Sequence, residues 1–78
     1  MTKLPIISAV ELEKILLYMD FIRKRQTGSH VYFQHEDGRA TVVPFHSGED
    51  IGRGLLRKIL RDIRLEPEEY NKLRNEVL

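Results

Sequence analysis

His30-Val31-Tyr32-Phe33-Gln34-His35-Glu36-Asp37-Gly38-Arg39-Ala40-Thr41-Val42-Val43-Pro44-Phe45 decides the fold of this chain. Two runs rich in Val, Tyr and Phe flank Asp37-Gly38. That dipeptide predicts a two-residue hairpin, because a type I′ turn needs positive φ at both central positions. With Asp37-Gly38 as the loop, Glu36 faces Arg39, Phe33 faces Val42, Val31 faces Pro44 and His30 faces Phe45. Alternation then assigns Val31, Phe33, Ala40 and Val42 to one face, the expected core. His30, Tyr32, Gln34, Thr41 and Val43 fall on the other. The strands are expected over 30–36 and 39–45.

Upstream, Asp20 to Gln26 reads as a further short strand, with Phe21 and Ile22 followed by alternating Arg23 and Arg25. Thr27-Gly28-Ser29 is a turn. Before it, Ser8-Ala9-Val10-Glu11 has the form of a capping box, in which serine and glutamate satisfy each other's free backbone donors. Val10, Leu12, Ile15, Leu16 and Met19 follow at helical spacing, predicting a helix over about 8–19.

Downstream, Ser47-Gly48-Glu49-Asp50 ends the third strand, and a helix is expected over about 51–63. Leu55, Leu56, Ile59, Leu60 and Ile63 form its apolar stripe. Arg53, Arg57, Arg61 and Arg64 form a second, basic stripe. Pro67 suits the first position of a last helix, Glu68 and Glu69 favour its dipole, and Tyr70, Leu73 and Val77 give it a thin apolar edge. The class is therefore α+β, in the order α-β-β-β-α with a short C-terminal helix. Its three-stranded antiparallel sheet has helices on one face and the other face open. This is the layout of double-stranded-RNA-binding domains.

The chain has 78 residues and no cysteine. One domain over 1–78 is expected, with chemistry on a shallow surface rather than in a deep cleft. Disulfides, thiolate metal sites and a cysteine nucleophile are excluded. No apolar run approaches the roughly 20 residues that span a bilayer, and no secretory signal opens the chain, so a cytoplasmic protein without membrane contact is expected. Net charge is only +1, but nine of the 13 Lys and Arg lie between Arg23 and Arg64. Seven of the 12 Asp and Glu lie outside that span. A basic middle between acidic ends suits an anionic partner, and suits a solvated surface equally.

His30 is the candidate reagent. It is placed on the less apolar face beside a glycine turn, and imidazole moves protons near neutral pH. RNA carries its own nucleophile, the 2′-hydroxyl, so cleavage needs only proton transfer and charge stabilisation. Gly28 would let the backbone approach a phosphate closely. On position alone, a structural role for His30 stays open. His35, on the expected core face, reads as a structural histidine. His46 reads as a second proton carrier, a phosphate contact or a bystander at a strand end. His30 and His35 differ by five along one strand and point to opposite faces, so neither metal nor cofactor is expected. The arginine stripe suits phosphate oxygens, and a solvated helix face is its plain alternative. Tyr32 or Phe45 on the open face could stack a base.

These residues resemble the HicA toxin family. Arg25-Gln26-Thr27-Gly28-Ser29-His30 is similar to the family's R-Q-x-G-S-H segment. An aromatic strand, His35, the D-G hairpin and Val42-Val43-Pro44-Phe45-His46 follow in family order. Gly52-Arg53-Gly54-Leu55-Leu56-Arg57-Lys58-Ile59-Leu60-Arg61 and Leu65-Glu66-Pro67-Glu68-Glu69-Tyr70 complete the set. The likeness covers about 8–73. The resemblance implies a toxin of a type II toxin–antitoxin module acting in stress as an mRNA interferase, a metal-independent endoribonuclease of double-stranded-RNA-binding fold. It implies His30 as the catalytic residue and a HicB-like antitoxin that masks this region. RNA contacts are expected at Gly28, Ser29, Tyr32, Arg25, His46, Arg53, Arg57 and Arg61. The alternatives are a non-catalytic RNA-binding module and a pure interaction protein. Two departures stand out. Asp20-Phe21 replaces Gly-Phe or Gly-Trp, and Ile63-Arg64 replaces a small residue and glycine, which is expected to tighten or extend the second helix.

Overall fold

A computed structural model describes residues 4–78. The elements are α1 (Ala9–Tyr18), β1 (Ile22–Thr27), β2 (His30–Gln34), β3 (Ala40–Pro44), α2 (Arg53–Asp62) and α3 (Pro67–Val77). The strands form one antiparallel sheet in the order β1-β2-β3. This is the expected α+β layout, with strands one or two residues shorter than their hydrophobic runs.

The capping box forms as read. The Ser8 hydroxyl accepts from Glu11 N–H at 3.2 Å, and Glu11 Oε1 accepts from Ser8 N–H at 3.0 Å. Two contacts, one of them to a carboxylate, thus satisfy donors the helix start would otherwise leave free. Both α1 and α2 end in the same way. Phe21 N–H reaches Leu16 C=O and Asp20 N–H reaches Leu17 C=O, each at 3.0 Å. Leu65 N–H reaches Leu60 C=O at 2.9 Å, and Arg64 N–H reaches Arg61 C=O at 3.1 Å. These are Schellman closures, whose turning residue is left-handed. Here the turning residues are Asp20 at φ 69° and Arg64 at φ 56°. The two positions where the resemblance leads one to expect glycine are therefore the two where glycine would be least strained. Arg64 does not extend α2; the helix still ends at Asp62.

The hairpin register differs from the expected one by a residue. His30 pairs Pro44, Val31 pairs Val43, Tyr32 pairs Val42, Phe33 pairs Thr41 and Gln34 pairs Ala40. The loop has three residues, not two. His35 N–H donates to Arg39 C=O at 2.8 Å and Gly38 N–H donates to His35 C=O at 3.0 Å, with Gly38 at φ 101°. That is a type I turn followed by a left-handed glycine, the usual three-residue hairpin. Asp37 does not take the φ > 0 position that a type I′ turn demands. Its carboxylate instead accepts from Arg39 N–H at 3.0 Å and Arg39 Nε at 2.7 Å.

One residue of slip exchanges the two faces of β3. Thr41 and Val43 face the core, while Val42 is exposed and Ala40 half-buried, the reverse of the expectation. A buried threonine is tolerable because its hydroxyl donates to Asp62 Oδ2 at 3.0 Å, and Lys58 Nζ holds the same oxygen at 2.9 Å. Val31 and Phe33 keep their expected places. Phe45, expected on the open face, packs instead against the core on the helix side.

All three helices cover that one face. Leu12, Ile15 and Leu16 of α1, Leu56, Ile59 and Leu60 of α2, and Tyr70 of α3 join Phe21, Val31, Phe33, Val43 and Ile63 in one buried cluster. Leu73 and Val77 pack against it, as the thin edge of α3 predicts. Val10 and Leu55, counted in the helical stripes, are exposed instead. The Tyr70 hydroxyl donates to the Pro5 carbonyl, tying the N-terminal segment to α3.

Candidate functional site

The bare face of the sheet is built by three cross-strand rows. They are Thr27-His30-Pro44, Arg25-Tyr32-Val42 and Ile22-Gln34-Ala40. None of these nine positions is acidic. Asp20 and Glu36 border only the Ile22–Gln34 end, so the end that carries Arg25 and His30 is suited to an anion rather than a cation.

His30 stands at a stiff corner. Thr27 and His30 close a two-residue turn. Gly28 has φ 59° and Ser29 does not share a positive φ, the pattern of a type II′ turn. Gln26 Nε2 donates to Gly28 C=O at 2.9 Å, and Ser29 C=O accepts from Phe45 N–H at 2.7 Å. The turn is thus held from both neighbouring strands. A Cβ added at Gly28 would meet nothing within 4 Å, so the backbone there is open to approach from solvent. The His30 side chain is exposed and makes no hydrogen bond or ion pair with any described residue. Both ring nitrogens are available to a bound molecule.

Arg25 reaches this face through a bulge. β1 carries one extra residue, Lys24, between the pairs Arg23↔Phe33 and Arg25↔Tyr32. In a regular strand Arg23 and Arg25, two residues apart, would share a face; the bulge puts them on opposite faces. Arg23 turns to the helix side, where its Nε meets Glu13 Oε2 at 2.6 Å and its guanidinium lies 5.3 Å from the Phe45 ring. Arg25 turns outward and lies 5.0 Å from the Tyr32 ring centroid. Tyr32 in turn stands two residues from His30, roughly 6.5 Å along the strand.

His35 is structural. Its ring sits 5.1 Å from that of Phe21, edge to face, and its Nδ1 accepts from Asp37 N–H at 3.1 Å. His46 follows β3 in an exposed turn closed by Glu49 N–H to its carbonyl at 3.1 Å. It borders a groove with Ser8, Val10 and Phe45, and none of the nine outer-face residues lines that groove. The arginine stripe is likewise elsewhere. Arg53 Nε donates to Leu4 C=O at 3.2 Å. Arg57 and Arg61, with Arg64, border a groove that contains no strand residue. The structure therefore gathers Arg25, Gly28, Ser29, His30 and Tyr32, and leaves His46, Arg53, Arg57 and Arg61 outside that set. Thr27 belongs to the face and Lys24 borders it beside Ile22 and Gln34, and both were missed by sequence reasoning. The R-K-R run at 23–25 carries no mark of a bulge. Among the described residues no three His, Asp or Glu side chains gather into a metal-binding group. No helix among them is long and apolar enough to cross a membrane.

With this geometry established, a family model described as HicA toxin of bacterial toxin–antitoxin matches residues 9–65. The chain belongs to the HicA toxin family. The match opens on the first residue of α1 and closes on Leu65, the residue that completes the Schellman turn after α2. It therefore spans the whole sheet, the His30 corner and two of the three helices. HicA membership places the chain on the toxin side of a toxin–antitoxin system, where an antitoxin is its counterpart. No curated protein matches the chain.

Proposed function

We propose that this HicA chain is an mRNA interferase, an endoribonuclease that cuts mRNA in the cytoplasm without a metal, with His30 as its catalytic residue. The observation that carries the reading is the imidazole of His30, without a partner among the described residues, at the end of the face away from Asp20 and Glu36.

In the reaction, the 2′-oxygen of the RNA forms a bond to phosphorus and the bond from phosphorus to the 5′-oxygen breaks. The products are a 2′,3′-cyclic phosphate and a 5′-hydroxyl. One proton leaves the 2′-oxygen and one is delivered to the 5′-oxygen. The His30 imidazole, with both nitrogens free, carries a proton in this exchange. Charge gathering on the phosphorane oxygens is met by the Arg25 guanidinium and by backbone N–H groups of the Gly28-Ser29 turn. Tyr32 offers a ring to the base beside the cleaved bond. A HicB-like antitoxin would silence the toxin by covering the same open face.

The test is cleavage of end-labelled single-stranded RNA in EDTA by wild type and by His30→Ala of verified fold. Cutting by wild type and none by the variant supports the proposal. Equal cutting by both removes His30 from the mechanism. One observation favours a second reading, a non-catalytic RNA-binding module. His46 stands off the sheet face, which leaves His30 as the single imidazole there. Salt-dependent RNA binding without cleavage by either protein would select that reading.

A further inference from the structure

We propose that Arg57, Arg61 and Arg64 form a second contact for the substrate strand, gripping RNA phosphates away from the bond that is cut. The inference rests on RNA as the substrate. It starts from an imbalance among the arginines. Arg23, Arg25, Arg39 and Arg53 are each engaged by a carboxylate, a ring or a backbone carbonyl. The side chains of Arg57, Arg61 and Arg64 have no hydrogen bond, ion pair or ring contact with any described residue.

These three recur at +4 and +3, so they share one side of α2 and its closing turn, and like charges at that spacing repel. The nearest acids do not relieve them. Asp62 is committed to Thr41 and Lys58. Glu66 borders the same groove without pairing with any of the three. The groove is lined by Leu4, Leu60, Leu65 and Pro67 as well, so the surface offered is an apolar floor rimmed by three arginines and Glu66. A row of forks over an open groove suits successive phosphate oxygens of a strand better than a single small anion.

The groove contains no strand residue and so lies apart from the His30 face. The shortest extent of the molecule is 20 Å. At 3.4 Å or more per nucleotide, a strand on the order of ten nucleotides is longer than that extent, and a tetranucleotide offers far fewer phosphates to a second contact.

The experiment uses His30→Ala, which holds RNA without cutting it in the reading above. Fluorescent oligouridines of twenty and four nucleotides are titrated between 50 and 300 mM salt. For the 20-mer, replacing all three arginines by glutamine should reduce the slope of log affinity against log salt by about 2, at about 0.7 per lost phosphate contact. The affinity ratio of 20-mer over tetramer should fall with it. The matching triple lysine variant should keep the slope, since it keeps the charge. Should the triple glutamine variant not fold, Arg57→Gln alone should reduce the slope by about 0.7. An unchanged slope and ratio in a folded variant overturns the proposal and leaves the RNA reading intact. Loss of poly-glutamate binding with unchanged RNA binding overturns it too, and assigns the groove to an acidic protein. No RNA binding by His30→Ala at 50 mM salt fails the RNA reading itself, and the arginine proposal with it.

Discussion

The guanidinium of Arg25 lies 5.0 Å from the ring centroid of Tyr32, and it is the bulge at Lys24 that brings it there. The pair forms the middle row of the open face, one row from His30. An exposed cation–π contact contributes only about 0.5–1 kcal/mol. Arg25→Ala and Tyr32→Ala should therefore leave stability within about 1 kcal/mol of wild type. Their effect should appear on RNA instead. Base stacking is worth about 1–3 kcal/mol, so Tyr32→Ala should weaken single-stranded RNA binding roughly 5- to 150-fold, while Tyr32→Phe retains most of it. Thermal melts beside RNA titrations separate the two effects.

Thr41 makes a sharper demand on stability. Its hydroxyl is buried and donates to Asp62. Thr41→Val removes the donor but leaves Asp62 its partner Lys58, so the expected cost is about 1 kcal/mol in urea unfolding. Asp62→Ala strips the buried hydroxyl of its acceptor and should cost more, about 1–3 kcal/mol. A reversal of that order would mean that water reaches Thr41.

Asp20 and Arg64 hold left-handed turns with full side chains. That conformation costs an L-residue roughly 1–2 kcal/mol, partly offset by the extra chain entropy a glycine would lose. Arg64→Gly should stabilise by about 0.5–1 kcal/mol. Asp20→Gly should gain less, since aspartate tolerates this region better. Gly28→Ala, at φ 59° with open space around it, should lose about 1 kcal/mol through backbone strain alone. Denaturant midpoints at equal m-value decide all three.

Tyr70 gives the fold an alkaline limit. Burial pushes its hydroxyl up to about 12 from an ordinary value of 10.0. The unfolded chain therefore loses this proton first. The contribution is complete below pH 10 and drains away as pH rises through 12. The urea midpoint should fall between pH 10 and 12 in wild type, and that fall should be smaller in Tyr70→Phe. At pH 8 the variant should cost about 1 kcal/mol for the lost bond to the Pro5 carbonyl.

The acid side runs the other way. Glu11 is held below its ordinary value of 4.5, first by the Ser8 backbone N–H and then by the Ser8 hydroxyl. Its contribution is complete above pH 4.5 and declines as pH falls further. Ser8→Ala should cost about 1 kcal/mol at pH 7 and flatten this acid dependence.

The element order, both ends of α1 and the start of α3 were legible because each rests on local chemistry: a capping box, an apolar stripe, a proline. The hairpin register was not. Asp37-Gly38 is compatible with loops of two or three residues, and the choice turns on whether Asp37 takes positive φ. Apolar alternation then misled, because Val42-Val43 fits either face and Thr41 looks polar until Asp62 is seen beneath it. His30 was placed correctly because its face is fixed by Val31 and Phe33 on its own strand, whatever the partner register. The arginines were the least legible. Arg23 and Arg25 are divided by a bulge, and the stripe on α2 shares no surface with the sheet's bare face.

Pro44 stands opposite His30 in β3, an edge strand. Hydrogen-bonded pairs at Ser29–Phe45 and His35–Arg39 make His30–Pro44 a pair without ladder bonds, so the Pro44 nitrogen points outward, to where an incoming strand would lie. A ring nitrogen without hydrogen has nothing to donate there. The residue that frames the exposed imidazole therefore also blunts the sheet against edge-to-edge aggregation, allowing a small protein to keep one flat face bare without templating its own fibres.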